Sequence, residues 1–321
     1  MILDFILLIV GLVLIVVGAD CMTDGAALVA RRFKVSEFII GLTIIAIGTS
    51  APEMVVSFSS ALSGNTEMAL GNVLGSNMFN TFVIVGVVAT IRPIRLSREN
   101  CFKTIPATLC ATFLLLLFCL NLFGFKFMPE SITRLEGAIL LSGFLFFMIQ
   151  SVSSTGKTIE SYITSNQTAK KESLAKGFVM AIGGIAVLLF GGDIFLDKAV
   201  AIAKALGVSN YIISVTLLAG GTSLPELVAS VMAAKKGMPQ MALGNVLGSN
   251  VANILLVLGG ASLISPISLA SVSFVDVSLV CLGSLLLFMF IFTFRRHQID
   301  RIEGVMLLLI YVVYIISLIV R

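Results

Sequence analysis

The ten residues Met68–Asn77, MALGNVLGSN, return unchanged as Met241–Asn250, 173 positions later. The same offset relates Gly18 to Gly191, Asp20 to Asp193, Asp24 to Asp197, Thr49 to Thr222, Pro52 to Pro225, Glu53 to Glu226, Asn80 to Asn253 and Pro93 to Pro266. No gap is needed between Gly18 and Pro93, so the chain is a duplication. The repeat sits in an apolar setting. Of 321 residues, 58% are hydrophobic and 12% charged, about half the charge of an ordinary soluble domain. A bilayer needs about 20 apolar residues per helical span, so the chain has room for several spans and for no large soluble domain. A closed barrel would alternate apolar with polar residues, whereas Leu114–Leu117 and Leu285–Leu287 lie in continuous apolar runs.

Ten apolar runs are bounded by charges or Gly/Pro/Asn clusters, near 2–30, 37–62, 68–90, 103–123, 132–152, 177–206, 210–233, 240–263, 273–294 and 303–320. The expected fold is an all-α membrane protein of ten transmembrane helices. Residues 1–152 form the first five-helix repeat and 177–321 the second, joined by a polar linker, Ser153–Lys176. An odd number of spans makes the second half enter from the opposite side, giving an inverted-topology repeat whose halves meet at mid-membrane, an architecture of transporters.

The net charge of +4 comes without a basic stripe, which excludes a nucleic-acid surface. The cations report orientation instead. With the amino terminus outside, sixteen Lys and Arg fall on inward connections, among them Arg31, Arg32, Arg92, Arg95, Lys170, Lys171, Lys235 and Lys236. Only Lys126, Arg134, Lys204 and Arg321 fall outward, so both termini are expected outside, in the cell membrane. The first segment lacks a basic n-region and is expected to be retained. The five cysteines form no CxxC pair and read as packing residues. Gly156-Lys157-Thr158 is no phosphate loop, because Ser151 stands where a second glycine is required. His297, the one histidine, follows Arg295 and Arg296 and reads as a solvated loop residue.

Each half carries one motif in its second span, Gly48-Thr49-Ser50-Ala51-Pro52-Glu53 and Gly221-Thr222-Ser223-Leu224-Pro225-Glu226. A proline inside a helix removes a donor and frees the carbonyl four residues back, here those of Gly48 and Gly221. Such a break needs a protein or watery surround, and freed carbonyls suit a hard cation. Thr49 and Glu53, like Thr222 and Glu226, are four apart and share a helix face. The third and eighth spans add Asn72, Ser76 and Asn80, and Asn245, Ser249 and Asn253, at helical spacing. Ser76, Asn80, Ser249 and Asn253 align with the breaks and belong with the site. Asn72, Asn77, Asn245 and Asn250 read as helix-packing residues. A carboxylate at mid-membrane is a functional hypothesis by default, and an oxygen set of this kind suits Ca²⁺ better than Zn²⁺ or copper. Asp20, Asp24, Asp193 and Asp197 lie nearer a membrane surface and read as interfacial or packing groups.

The GTSAPE/GNVLGSNMFN and GTSLPE/GNVLGSNVAN pairs resemble the two alpha repeats of the sodium/calcium exchanger family, within the calcium:cation antiporter superfamily, over essentially the whole chain. The short linker resembles a compact, prokaryotic-type member. The resemblance implies that Na⁺ entering down its gradient drives Ca²⁺ out, with no cofactor and no obligate protein partner. It also implies ion binding by Glu53, Glu226, Thr49, Ser50, Ser76, Thr222, Ser223, Ser249 and the carbonyls of Ala46 and Ala219. The first and sixth spans would slide across the other eight. One position departs: the family often has Asp where Asn253 stands, which bears on stoichiometry. H⁺ in place of Na⁺, carried on the two glutamates, is the nearest alternative, followed by a cation channel or a passive scaffold. An enzyme is disfavoured, because no nucleophile or base arrangement lies near the membrane centre.

Overall fold

The computed structural model describes residues 2–33, 35–97, 100–119, 130–153, 173–207, 219–270, 272–290, 292–293 and 297–320. Among them the chain is almost entirely helical: α1 (Ile2–Phe33), α2 (Glu37–Thr49), α3 (Ala51–Leu62), α4 (Thr66–Ile91), α5 (Asn100–Phe118), α6 (Arg134–Ser153), α7 (Leu174–Ala205), α8 (Ala219–Gly221), α9 (Leu224–Lys235), α10 (Pro239–Ile264), α11 (Phe274–Phe290) and α12 (Arg301–Val320). Seven of these are long and apolar enough to cross a bilayer, or eight when α2 and α3 count as one bent span. This is fewer than the ten runs of the sequence. α11 is shorter than a full span, and the run at 210–233 has its first part, 210–218, outside the described set. α7 begins at Leu174, three residues inside the stretch expected to be linker.

Polarity is distributed inside out. Ile2, Leu135, Phe146 and Val179 are more than 60% exposed, while Glu53, Glu226, Ser50, Ser223, Asn80 and Asn253 have no exposed surface. Water would penalise such an outside and lipid does not.

Local sequence sets the helix ends. Ser36 caps α2, its hydroxyl accepting from Ile39 N at 3.3 Å. Thr133 and Glu136 form a capping box at α6, with Thr133 N donating to Glu136 Oε2 at 2.6 Å. At α12 the buried Glu303 takes the Asp300 N–H at 2.7 Å and the Thr293 hydroxyl at 2.5 Å. The apolar helices between carry few other instructions.

α1 and α7 pack along their length. Gly11, Gly18 and Gly25 recur every seven residues on α1 and meet Gly177, Gly184 and Gly191 on α7. A Cβ on Gly18 would sit 2.5 Å from Leu188 N, so only glycine allows these backbones to touch. The remaining helices are tied across the two halves by two short antiparallel ribbons. β1 (Ile94–Arg95) pairs with β4 (Gln298–Ile299), and β2 (Ser131–Ile132) pairs with β3 (Ile267–Ser268). The ribbons lie at the two ends of α4: β1 follows its last residue, Ile91, and β3 meets its first, with Ser268 N donating to Thr66 Oγ1 at 3.2 Å.

Candidate functional site

The second span is interrupted, and not by a proline kink. α2 stops at Thr49, Ser50 leaves helical geometry (φ −79°, ψ 9°), and α3 restarts at Ala51 with the axis turned by 45°. Pro52 lies in the first turn of α3, where a missing N–H costs nothing because first-turn donors have no intrahelical partner. The other half repeats this, with Ser223 (φ −91°, ψ 8°) before α9 and Pro225 in its first turn. The break expected at each proline is present, but the proline follows it in the first turn of the next helix and does not sit inside the helix it interrupts. Its consequence survives, since both glutamates land in the first turn of a helix, where the partial positive charge of unpaired N–H groups favours an anion.

α4 and α10 cross these breaks. Each relaxes into a wider π-helical turn, over Phe79–Ile84 and Ala252–Leu258, beginning beside Asn80 and Asn253. Such turns interrupt the regular ladder and are frequent at functional sites.

The side chains meet by crossing between halves. Ser223 Oγ donates to Glu53 Oε1 (2.9 Å), and Ser50 Oγ donates to Glu226 Oε1 (3.0 Å), so the serine of each half serves the carboxylate of the other. Ser76 Oγ adds a second hydrogen bond to Glu53 Oε1 at 3.3 Å. The Ala46 carbonyl collects Ser50 N at 3.0 Å, Ser249 Oγ at 3.4 Å and Thr49 Oγ1 at 3.5 Å. These bonds form two crossed networks, Glu53 with Ser76 and Ser223, and Glu226 with Ser50, Ala46, Thr49 and Ser249, each spanning both halves of the chain. Thr222, Asn80 and Asn253 are not joined to the carboxylates by hydrogen bonds: Asn253 Nδ2 reaches Asn77 Oδ1 at 3.5 Å, and neither Asn80 polar atom has a partner. Ala219, at the repeat position of Ala46, lies in α8.

Unpartnered atoms concentrate here. Among the described residues, the buried side-chain atoms without a hydrogen-bond partner are Glu53 Oε2, Glu226 Oε2, Thr222 Oγ1, Asn77 Nδ2, both polar atoms of Asn80, Asn250 Oδ1 and Asn253 Oδ1. Buried polar atoms take a partner in a folded protein, so this cluster is where a water or an ion is to be sought. Six of these atoms are oxygens. No three His, Cys, Asp or Glu side chains converge among the described residues, so the donors are two carboxylates with hydroxyls, amides and carbonyls, a set matched to hard cations.

The asparagines read as packing residues do more than fill space. Asn72 Nδ2 donates to Ser57 Oγ (3.0 Å) and to the Glu53 carbonyl (3.3 Å), and Asn245 Nδ2 donates to Ser230 Oγ (3.0 Å) and to the Glu226 carbonyl (3.5 Å). Asn250 Nδ2 donates to Thr81 Oγ1 at 2.8 Å. Ser57 and Ser230 escaped the sequence reading, although each lies four residues after its glutamate, on the same face. Asp20 and Asp24 both hold Lys236 Nζ, at 2.7 and 2.6 Å, in an interfacial pairing. Their repeat mates Asp193 and Asp197 are exposed, and the repeat position of that lysine is held by Ser63, which carries no charge.

Comparison with known proteins places these features in context. The family model described as sodium/calcium exchanger protein matches residues 3–152 and 176–320. The sodium/calcium exchanger MaX1 of Methanosarcina acetivorans is 33% identical over 98% of each chain. The inner membrane protein YrbG of Escherichia coli is 30% identical over 83% of this chain and 81% of its own. A solved structure of the sodium-calcium exchanger NCX_Mj superposes with a TM-score of 0.84 at 31% identity, covering 99% of both chains.

Proposed function

Because this chain belongs to the sodium/calcium exchanger family of integral membrane cation antiporters, we propose that it exchanges Ca²⁺ for Na⁺ by alternating access at the cluster between the two interrupted helices. The observation that carries this reading is the set of buried, unpartnered oxygens around Glu53 and Glu226. Two carboxylates give the site a formal charge of −2, which one Ca²⁺ or two Na⁺ neutralises. A buried net charge is costly, so binding of one cation species excludes the other electrostatically, as antiport requires. Thr49, Ser50, Ser76, Asn80 and the Ala46 carbonyl would serve as ligands from one half. Thr222, Ser223, Ser249, Asn253 and the Ala219 carbonyl would serve from the other.

The transport path follows from the packing. α1 and α7 touch backbone to backbone through their glycines and would move as one body, while the β ribbons hold the other helices together. Ten spans in an inverted repeat, with both termini outside, complete the proposal. The ribbons support the inversion: β1 and its repeat mate β3, 173 residues on, lie at opposite ends of α4. The test is uptake of radioactive Ca²⁺ into proteoliposomes under imposed Na⁺, H⁺ or K⁺ gradients. Uptake driven by internal Na⁺ alone is expected. Uptake driven by a proton gradient and indifferent to Na⁺ would replace this reading with Ca²⁺/H⁺ exchange.

A further inference from the structure

A threonine hydroxyl has one proton and two lone pairs. Inside a helix it commonly returns that proton to a carbonyl one turn back, as Thr23 does to Ala19 (2.6 Å) and Thr43 to Ile39 (2.8 Å). Thr49 departs from this habit. Its contact with the Ala46 carbonyl is long, 3.5 Å, and its shorter contact, 3.2 Å, crosses to Asn245 Oδ1 on α10. The Asn245 amide is oriented to receive it, because Nδ2 is held by Ser230 Oγ and the Glu226 carbonyl, which turns Oδ1 towards α2. A proton sent to Asn245 leaves both lone pairs of the Thr49 oxygen for a cation and relieves the Ala46 carbonyl of a competing donor.

The repeat supplies a contrast. Asn72 makes the same two donor contacts, to Ser57 Oγ and the Glu53 carbonyl. The threonine it would serve by repeat, Thr222, keeps its hydroxyl buried and without a partner. Resting on the exchange reading above, we propose that Asn245 is a positioning residue for ion binding: its Oδ1 accepts the hydrogen bond of the Thr49 hydroxyl and so makes that oxygen, with the Ala46 carbonyl, a cation ligand. In this conformation the matching Asn72–Thr222 pair is disengaged, and the binding site is assembled on one side only.

A double-mutant cycle tests the assignment, read as the half-saturating Ca²⁺ concentration for radioactive Ca²⁺ uptake into Na⁺-loaded proteoliposomes. Asn245→Ala is expected to raise that concentration about ten-fold, the worth of one buried hydrogen bond, with the maximal rate changed less than about two-fold. In a Thr49→Val background the same substitution should add less than about two-fold, because residues acting through one contact do not combine independently. Asn72→Ala should give the same shift with or without Thr49→Val. Multiplicative effects of Asn245→Ala and Thr49→Val, or a loss confined to maximal rate, would reduce Asn245 to a packing residue. Should Asn245→Ala fail to fold, Ser230→Ala, which frees the amide, replaces it in the cycle with Ser57→Ala as its control. Wild-type uptake without Na⁺ dependence would overturn the exchange reading alone, and Ca²⁺ titration of the purified proteins by calorimetry then decides the cycle.

Discussion

Alanine at Gly18 should force α1 away from α7. The new Cβ would lie 2.5 Å from Leu188 N and 2.8 Å from Gly184 O, backbone atoms that no rotamer change can move, where ordinary contact begins at 3.4 Å. Gly11 and Gly25 occupy the same face of a rigid helix, so the gap opens along the whole seam. Overpacking of this kind costs about 1–3 kcal/mol, and alanine's better helix propensity offsets about 1 kcal/mol of it. The net expectation is destabilisation by up to about 2 kcal/mol. Gly183, on α7 itself, supplies the control, since it is exposed and nothing lies within 4 Å of its would-be Cβ. There the same substitution should stabilise by up to about 1 kcal/mol. Thermal unfolding in detergent would be followed alongside Ca²⁺ uptake. Gly18→Ala should lower Tm by on the order of 2–5 °C and slow uptake, whereas Gly183→Ala should raise Tm slightly and leave uptake intact. Shifts of the same sign and size at both positions would refute the backbone seam and, with it, the movement of α1 and α7 as one body.

Other expectations follow from the site and its margins. Glu53→Gln and Glu226→Gln should each abolish Ca²⁺ uptake while the protein still inserts and purifies; near wild-type exchange by either would remove the carboxylates from the ion path. Asn253→Asp adds a third buried acid and should alter the Na⁺ dependence and introduce a pH dependence, and coincident flux curves for mutant and parent would place residue 253 away from the ions. Cysteines introduced near residues 65 and 171 should be labelled from opposite faces of the membrane, and labelling from one face would exclude the inverted repeat. Burial pulls the Lys236 ammonium down, but hydrogen bonds and charge from Asp20 and Asp24 outweigh it, so its pKa is raised above the ordinary lysine value. The contribution of that bridge is therefore full below the unfolded lysine pKa and lost only as pH rises through the folded one. Because both aspartates are about half exposed, Lys236→Gln should change uptake by no more than about five-fold, with a wild-type to mutant ratio that stays flat from about pH 7 to 9. A slope in that window would assign the effect to another group.

The duplicated MALGNVLGSN was enough to reveal the internal architecture, because α4 and α10 begin and end at positions 173 apart, as Thr66–Ile91 and Pro239–Ile264. Residues four apart on one helix were equally legible, and they gave Thr49 with Glu53. What spacing along one helix does not encode is which half completes the other. The crossed bonds from Ser50 to Glu226 and from Ser223 to Glu53 depend on how two interrupted helices approach in space, and no local period reports that. Lys236 shows only an orientation signal among its sequence neighbours, since its partners lie 212 and 216 residues away. Composition does not show that Ser50 and Ser223, not the prolines after them, make the break, because helix stops and kinks leave the same residues in the sequence.

The two ribbons also bear on how the protein is made. Ile94 pairs with Ile299 and Ile132 with Ile267, so the earlier strand of each pair emerges long before its partner has been synthesised. At ribosomal speeds of about 5–20 residues per second, the wait is on the order of 10–40 s for the first ribbon and somewhat less for the second. Through that interval α1 also presents a face of glycines whose partner helix has still to be made. A chain arrested after residue 152 is therefore an unfinished surface with open backbone edges and an unfilled groove, which marks it as a substrate for membrane chaperones and quality-control proteases until the second half arrives to close it.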